Sequence, residues 1–465
     1  MNKIKVVGTI GSVTDALDVI KNLILNGVDA IRIDMNIFTR KDAEELINDV
    51  KALNKKLDTN VGIILNIGMP TIRLGRIQGG EAYFKAGDKV RLYVTDELGD
   101  ETKAAIDYKD LINDVNKKDT IIIDKNVKMT VFDVGNDYIV CEVFKGGSIH
   151  DYDLVSLDTH SNFLRVKDVK DIEFASTVDA DYIELSHVNS SEDVLLVTDM
   201  LIGYKNDHTS VISRIETEEA IDDIDNIVKT SDGVLIDRNK LSLVIPMERI
   251  PGLQKSIIGK CRRIGKISTV SVDIPVNTND VPSRIEVQDI ANASMDGVDA
   301  IILNDKIKVN SPYVNSIKKI ESILKEIELS IDYTSMFEEA LRDENIDVTG
   351  MIASNVAATA NKLKCKAIIA PTVTGYTARK ISRFRPCCPI IAVSPNYETV
   401  TALSLQFGVN AVLIDDLYSL DKIIKISEAI TKGLIPTQKG DKIIITGGYP
   451  FKESKNTNFM KIEEL

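Results

Sequence analysis

What the sequence lacks narrows its class first. Its 465 residues include no tryptophan, and aromatic side chains make up only 5%. No apolar run reaches the roughly 18 uninterrupted residues of a membrane helix, which excludes a spanning segment of that kind. Met1-Asn2-Lys3-Ile4-Lys5 leads straight into an apolar stretch, without the hydrophobic core and cleavage site of a signal peptide, so a cytoplasmic location is expected. Positive charge is in deficit: 57 Lys and Arg stand against 70 Asp and Glu, a net −13. That balance excludes sequence-independent binding to nucleic acid or to anionic membrane, each of which needs a basic face. Cysteine is scarce and odd in number (Cys141, Cys261, Cys365, Cys387 and Cys388), with no C-x-x-C spacing and no Cys/His cluster. A redox pair and a zinc site are therefore not expected, and reduced thiols are.

What is there is rhythm. The chain exceeds one ordinary core and implies two or three domains. Apolar runs at Ile4–Ile10, Ala30–Met35, Val61–Ile67, Tyr182–Val188, Ser210–Ile215, Gly233–Asp237, Ile267–Val272 and Ala300–Leu303 alternate with amphipathic stretches such as Asp15–Leu25, Ala43–Leu53 and Ile285–Ala293. This is the pattern of parallel strands with crossover helices. Gly27 after the first helix suits a C-cap, since glycine tolerates the left-handed conformation. Eight such units are the number that closes a (β/α)8 TIM barrel. The same pattern leaves an open doubly wound sheet as the alternative.

The rhythm breaks after the third strand. Residues 75–161 read as short β segments (Val90–Val94, Thr120–Ile123, Val127–Phe132, Tyr138–Val143) between Gly and Asp turns. This predicts a small inserted β-barrel lid domain on the face where barrel active sites form. The barrel then spans 1–74 and 162–334. A further α/β series from 335 to 465 predicts a C-terminal domain with its own sheet.

Local motifs give this order a likeness. Gly8-Thr9-Ile10-Gly11, Pro70-Thr71-Ile72-Arg73, Ser231-Asp232-Gly233, Pro282–Ala293 with Asp296-Gly297-Val298-Asp299-Ala300, Thr374–Ala378 and Ser382–Pro386 together resemble the pyruvate kinase family over most of the chain. The resemblance implies phosphoryl transfer from phosphoenolpyruvate to ADP, with Mg or Mn and K as ions. Such transfer rests on positioning and on cations that neutralise phosphoryl oxygens.

Against the family's motifs the replacements concentrate in the barrel mouth. Lys-Ile-Glu on the fifth strand is here Arg214-Ile215-Glu216, and a guanidinium is not a conservative substitute for the transfer lysine. Glu216 keeps the first metal-ligand position. The second, an Asp in Ala-Arg-Gly-Asp-Leu-Gly, is Lys240 within Asp237–Ser242, and an ammonium cannot coordinate a cation that takes oxygen ligands. Val272 falls where the family's proton-delivering Thr stands. The second-strand Arg-x-Asn-x-Ser-His has become Arg32–Ile37, and the third-strand Leu-Asp-Thr-Lys-Gly-Pro has become Leu65–Pro70. Arg32 and Arg73 remain as phosphate-facing cations. Lys240 is expected to stand in for the missing cation by pairing with Glu216. In the C-terminal domain, Thr372, Thr374, Gly375 and Thr377 match the family's loop for the phosphate of an allosteric sugar phosphate; the alternative is that they only cap a helix.

Losing one such catalytic element commonly costs a factor of about a hundred to a thousand in rate. The expected function is a pyruvate kinase homologue with lost or strongly reduced activity, acting as a metabolite-binding or regulatory protein. Its expected partners are small phosphorylated metabolites and further copies of itself, a tetramer by resemblance. The rival readings are a divergent working pyruvate kinase of glycolysis, and a new reaction on a phosphorylated acid using Arg32, Arg73, Arg214 and Lys240.

Overall fold

The computed structural model describes residues 2–11, 16–68, 72–124, 126–158, 164–272, 283–303, 313–342, 346–416, 420–448 and 457–465. All eight apolar runs are strands: Lys5–Ile10, Ala30–Asp34, Gly62–Ile67, Tyr182–Leu185, Ser210–Ile215, Gly233–Ile236, Ile267–Val272 and Ala300–Leu303. They pair in parallel in chain order, and the eighth closes on the first from Lys5–Ala300 to Gly8–Leu303. The open-sheet alternative falls. Successive side chains alternate between two layers, as the pleat requires. Val7, Ala30, Ile64, Tyr182, Ile212, Leu235 and Ile302 fill the interior, while Val6, Ile31, Leu65, Ile183, Val270 and Ile301 join the larger core under the helices.

The helices start and stop on local chemistry. Arg40–Leu57 begins where the Thr39 hydroxyl accepts the Asp42 amide at 3.2 Å, and its first and last turns carry Asp42 and Lys55–Lys56, complementing the helix dipole. Gly27, at φ +98°, follows Ala16–Leu25 as expected. Among the described residues no helix is long and apolar enough to cross a membrane.

Strands between Ile72 and Asp158 build the lid, a seven-stranded sheet with a separate strand pair. Its edges meet: Leu74 bridges to Ile106, and the Gly75 amide donates to the Ala105 carbonyl at 2.9 Å. The sheet thus curls around its own core of Phe84, Val90, Ile121, Met129 and Ile139. One arginine fastens lid to barrel. Arg165 donates to Asp168 at 2.9 and 2.8 Å, to the Gly68 carbonyl at 2.8 Å and to Asn36 Oδ1 at 3.2 Å, and it also reaches the lid's Tyr108 hydroxyl and Asp114.

The C-terminal domain orders parallel strands Val409–Leu413, Ile390–Ser394, Ala367–Pro371 and Lys442–Gly447, with antiparallel Phe459–Glu464 at the edge. It seals the barrel end opposite the lid. Leu405 enters the barrel's interior cluster, and the Tyr182 hydroxyl donates to the Ala402 carbonyl at 2.7 Å. Asp181 accepts the Thr401 hydroxyl and the Ile63 amide. The buried Arg385 donates to Asp299 at 2.9 Å and to the Gly297 carbonyl at 2.9 Å, with its guanidinium 4.2 Å from the Phe407 ring centroid.

Candidate functional site

Parallel closure brings the C-terminal ends of the strands together under the lid. The inward-facing register delivers Arg32 and Asp34 from the second strand, Asn66 from the third, Glu184 and Ser186 from the fourth, and Arg214 and Glu216 from the fifth. Asp237 follows the sixth. All of these are buried.

Glu184 is their centre. Arg32 Nε and Nη2 donate to its two carboxylate oxygens at 2.7 and 2.6 Å, and Arg214 Nη2 donates to Oε1 at 2.8 Å. Burial pushes the Glu184 carboxyl up, but the two guanidiniums outweigh it and hold the group below its ordinary value. Burial likewise opposes the Arg214 charge, yet Glu184, Glu216 and Asp237 raise its pKa overall. Arg214 also donates to Ser186 Oγ at 3.2 Å and lies 3.8 Å from both Glu216 Oε2 and Asp237 Oδ2.

The expected Lys240–Glu216 pair does not close. Among the described residues the cation within ion-pair distance of Glu216 is Arg214. The reason is placement: Lys240 sits in the first turn of the helix Arg238–Val244, where its amide donates to the capping Asp237 carboxylate at 3.2 Å. Its ammonium still turns toward the site. Lid residues Ile72, Val155 and Leu157 close over His187, Glu216 and Lys240 around a cavity of about 30 Å³. Burial lowers the Lys240 pKa; Arg214 and Arg73 add to the fall, and Glu216 and Asp237 oppose it.

A divalent ion does not fit this donor set. Glu216 Oε1 accepts the His187 amide at 2.6 Å, while the buried Oε2 has no hydrogen-bond partner and faces Arg214. Lys240, at the position expected for the second ligand, offers an ammonium, and Asp237 faces Arg214 and caps a helix. Among the described residues no group of three or more His, Cys, Asp or Glu is gathered as a metal site.

The other predicted residues divide. Arg32 is locked on Glu184 rather than presented to a phosphate. Arg73 is exposed and held in the lid, its amide donating to Asp107 at 2.7 Å and its Nη1 to the Tyr152 carbonyl at 3.1 Å. Val272 packs in the outer, helix-facing layer, paired with Leu303. The hydroxyl in the inward register of that strand end is Ser271, which sequence reasoning passed over; its Oγ lies 3.5 Å from the Ile236 carbonyl. Pro70, Thr71, Asp273, Ile274 and Pro282 lie outside the described residues. The second- and third-strand replacements fit one another: Asn66 Nδ2 and Asn36 Nδ2 both donate to Asp34 Oδ1 at 3.1 Å.

In the C-terminal domain the four predicted phosphate ligands share one loop, but their hydroxyls do not all point outward. Thr377 is buried and shares a 2.8 Å hydrogen bond with Thr457, and Thr372 is buried as well. Thr374 is exposed and its carbonyl accepts Arg379 Nη2 at 2.5 Å; Gly375 turns the chain at φ +75°. In the later loop, Gly447 and Gly448 are described and Tyr449 and Pro450 are not.

Comparison with known proteins gives consistent matches along the chain. The family model for the pyruvate kinase barrel domain matches residues 1–313, and that for the pyruvate kinase alpha/beta domain matches 350–463. A pyruvate kinase of Clostridium perfringens is 33% identical over 476 residues, covering 100% of both chains. One of Clostridium acetobutylicum is 31% identical over 472 residues, covering 100% of this chain and 99% of its own. A solved pyruvate kinase from Cryptosporidium parvum superposes with a TM-score of 0.80 at 26% identity, over 100% of this chain and 96% of the other.

Proposed function

The chain belongs to the pyruvate kinase family, and we propose that it carries out the family's transfer between phosphoenolpyruvate and ADP only at a strongly reduced rate, serving mainly to bind phosphorylated metabolites. One observation carries this reading. Among the described residues the two guanidiniums of the mouth are answered by its own carboxylates: Arg32 and Arg214 by Glu184, and Arg214 also by Glu216 and Asp237. Phosphoryl transfer needs cations turned toward the phosphoryl oxygens. Here both guanidiniums already face carboxylates, and the seat of a second metal carboxylate is an ammonium.

A coupled assay with phosphoenolpyruvate, ADP and saturating Mg²⁺ or Mn²⁺ tests it. Turnover is expected about a hundredfold or more below the usual enzyme median of roughly 10 s⁻¹; turnover at that median sinks the reading. The second reading is a working pyruvate kinase. It is favoured by the full-length likeness to proteins of that name at 33% and 31% identity, and the same assay decides between the two. Family membership also supports a cytoplasmic homotetramer, tested by light scattering of the purified chain, and a sugar-phosphate effector, tested by thermal shift with fructose 1,6-bisphosphate.

A further inference from the structure

We propose that Glu184 is an internal ligand of the barrel mouth: its carboxylate fills the seat between Arg32 and Arg214 that a small oxyanion would otherwise take, and so keeps anions out. The inference deepens the reduced-activity reading and rests on it for its functional meaning.

The geometry is that of a bound anion. Glu184 is fully buried, and three charge-assisted hydrogen bonds of 2.6–2.8 Å converge on its two oxygens from guanidiniums on either side. Bidentate clasping by a planar fork is how arginine recognises carboxylate and phosphate. The fork of Arg32 reaches from the second strand past Asn66, a neutral amide, to the fourth; that of Arg214 arrives from the fifth. Each arginine thus finds its shared counter-ion inside the protein. Arg214 Nε has no hydrogen-bond partner, so even with Glu184 in place the cluster keeps an unused donor. Take the Glu184 carboxylate away and two buried guanidiniums face a vacated, carboxylate-sized space. An uncompensated buried charge is strongly destabilising, and a diffusible oxyanion of that size can supply what was removed.

The test is anion rescue of stability, read separately from turnover. The full-length wild-type chain, Glu184→Ala and Glu184→Gln are melted in inorganic phosphate and in chloride at matched ionic strength. Glu184→Ala is expected to melt several degrees higher in phosphate than in chloride, by mass action on a site present only in the fold. The wild-type chain, whose seat is filled, is expected to show only the smaller difference that phosphate gives any fold. Glu184→Gln, with the seat blocked by a neutral amide, is expected to be weakened and not rescued. Equal responses of the wild-type chain and Glu184→Ala overturn the proposal, as does rescue of Glu184→Gln. Failure of Glu184→Ala to refold from urea in phosphate as well as in chloride also overturns it. Fast turnover by the wild-type chain would defeat the reduced-activity reading while leaving the rescue result standing.

Discussion

Arg385 joins the C-terminal domain to the barrel floor, and replacing it with leucine isolates what that junction contributes. Arg385 and Asp299 are almost wholly buried and 2.9 Å apart. Asp299 also accepts the Ser268 amide and hydroxyl at 2.9 Å, so after Arg385→Leu it keeps neutral donors but loses its cation. Breaking a buried pair from one side costs about 3–5 kcal/mol, because a charge is left without its partner. The lost contact with the Phe407 ring adds about 0.5–2 kcal/mol. Urea unfolding followed by circular dichroism should therefore show a loss of about 3.5–7 kcal/mol, as the sum of those two contributions. The double variant with Asp299→Asn removes the stranded charge and should recover a large part of it, giving a coupling energy well outside the error of additivity. A single-variant loss below about 1 kcal/mol, the scale of exposed pairs, or strict additivity in the double variant, would refute the argument.

Three further outcomes are expected. Arg165→Met removes the guanidinium shared by Asp168, Gly68, Asn36 and Tyr108, so limited proteolysis of the lid should accelerate markedly; an unchanged cleavage rate would show that the lid is held by other contacts. Lys240→Asp should tighten Mn²⁺ binding, measured by electron paramagnetic resonance, at least about tenfold over the wild-type chain, since it exchanges a repelling charge for an oxygen ligand; equal affinities count against the charge argument. Burial pushes the Asp181 carboxyl up from 3.8 to about 6, with the Thr401 hydroxyl and the Ile63 amide opposing the rise. The fold therefore binds a proton more tightly than the unfolded chain does. Asp181's contribution is complete below about pH 4 and lost as pH rises through about 6. Asp181→Asn should flatten that part of the stability–pH curve, and an unaltered slope would assign the titration elsewhere.

The architecture was legible because period and spacing carry it: each of the eight apolar runs is a strand, and the break after Ile67 is the lid. Short lid strands such as Glu81–Phe84, Lys103–Ala105 and Gly147–His150 escaped because three or four residues between turns leave little pattern. The mouth was harder to read. Strands such as Ile267–Val272 are buried on both faces, and there the alternation Thr269-Val270-Ser271-Val272 turns the polar side chains inward and the apolar ones outward, the reverse of the usual marker. Motif position set Val272 at the chemistry, whereas the pleat turned it outward and Ser271 inward. Glu184 lay in plain view: an acid inside the run Tyr182–Val188 has to find a partner when buried, and Arg32 and Arg214 sit in equally apolar runs. Three charges embedded in three strands of one barrel were the signal.

Leu405 has a consequence for how this molecule is made. Because Leu405, which follows all eight barrel strands in the chain, plugs the barrel interior, those strands leave the ribosome before their floor does. Tyr182, Asp181 and Asp299 must wait, solvated, for segments still to be translated. A nascent barrel with an open base exposes apolar surface for as long as elongation lasts. Until the C-terminal domain docks, that surface is open to aggregation.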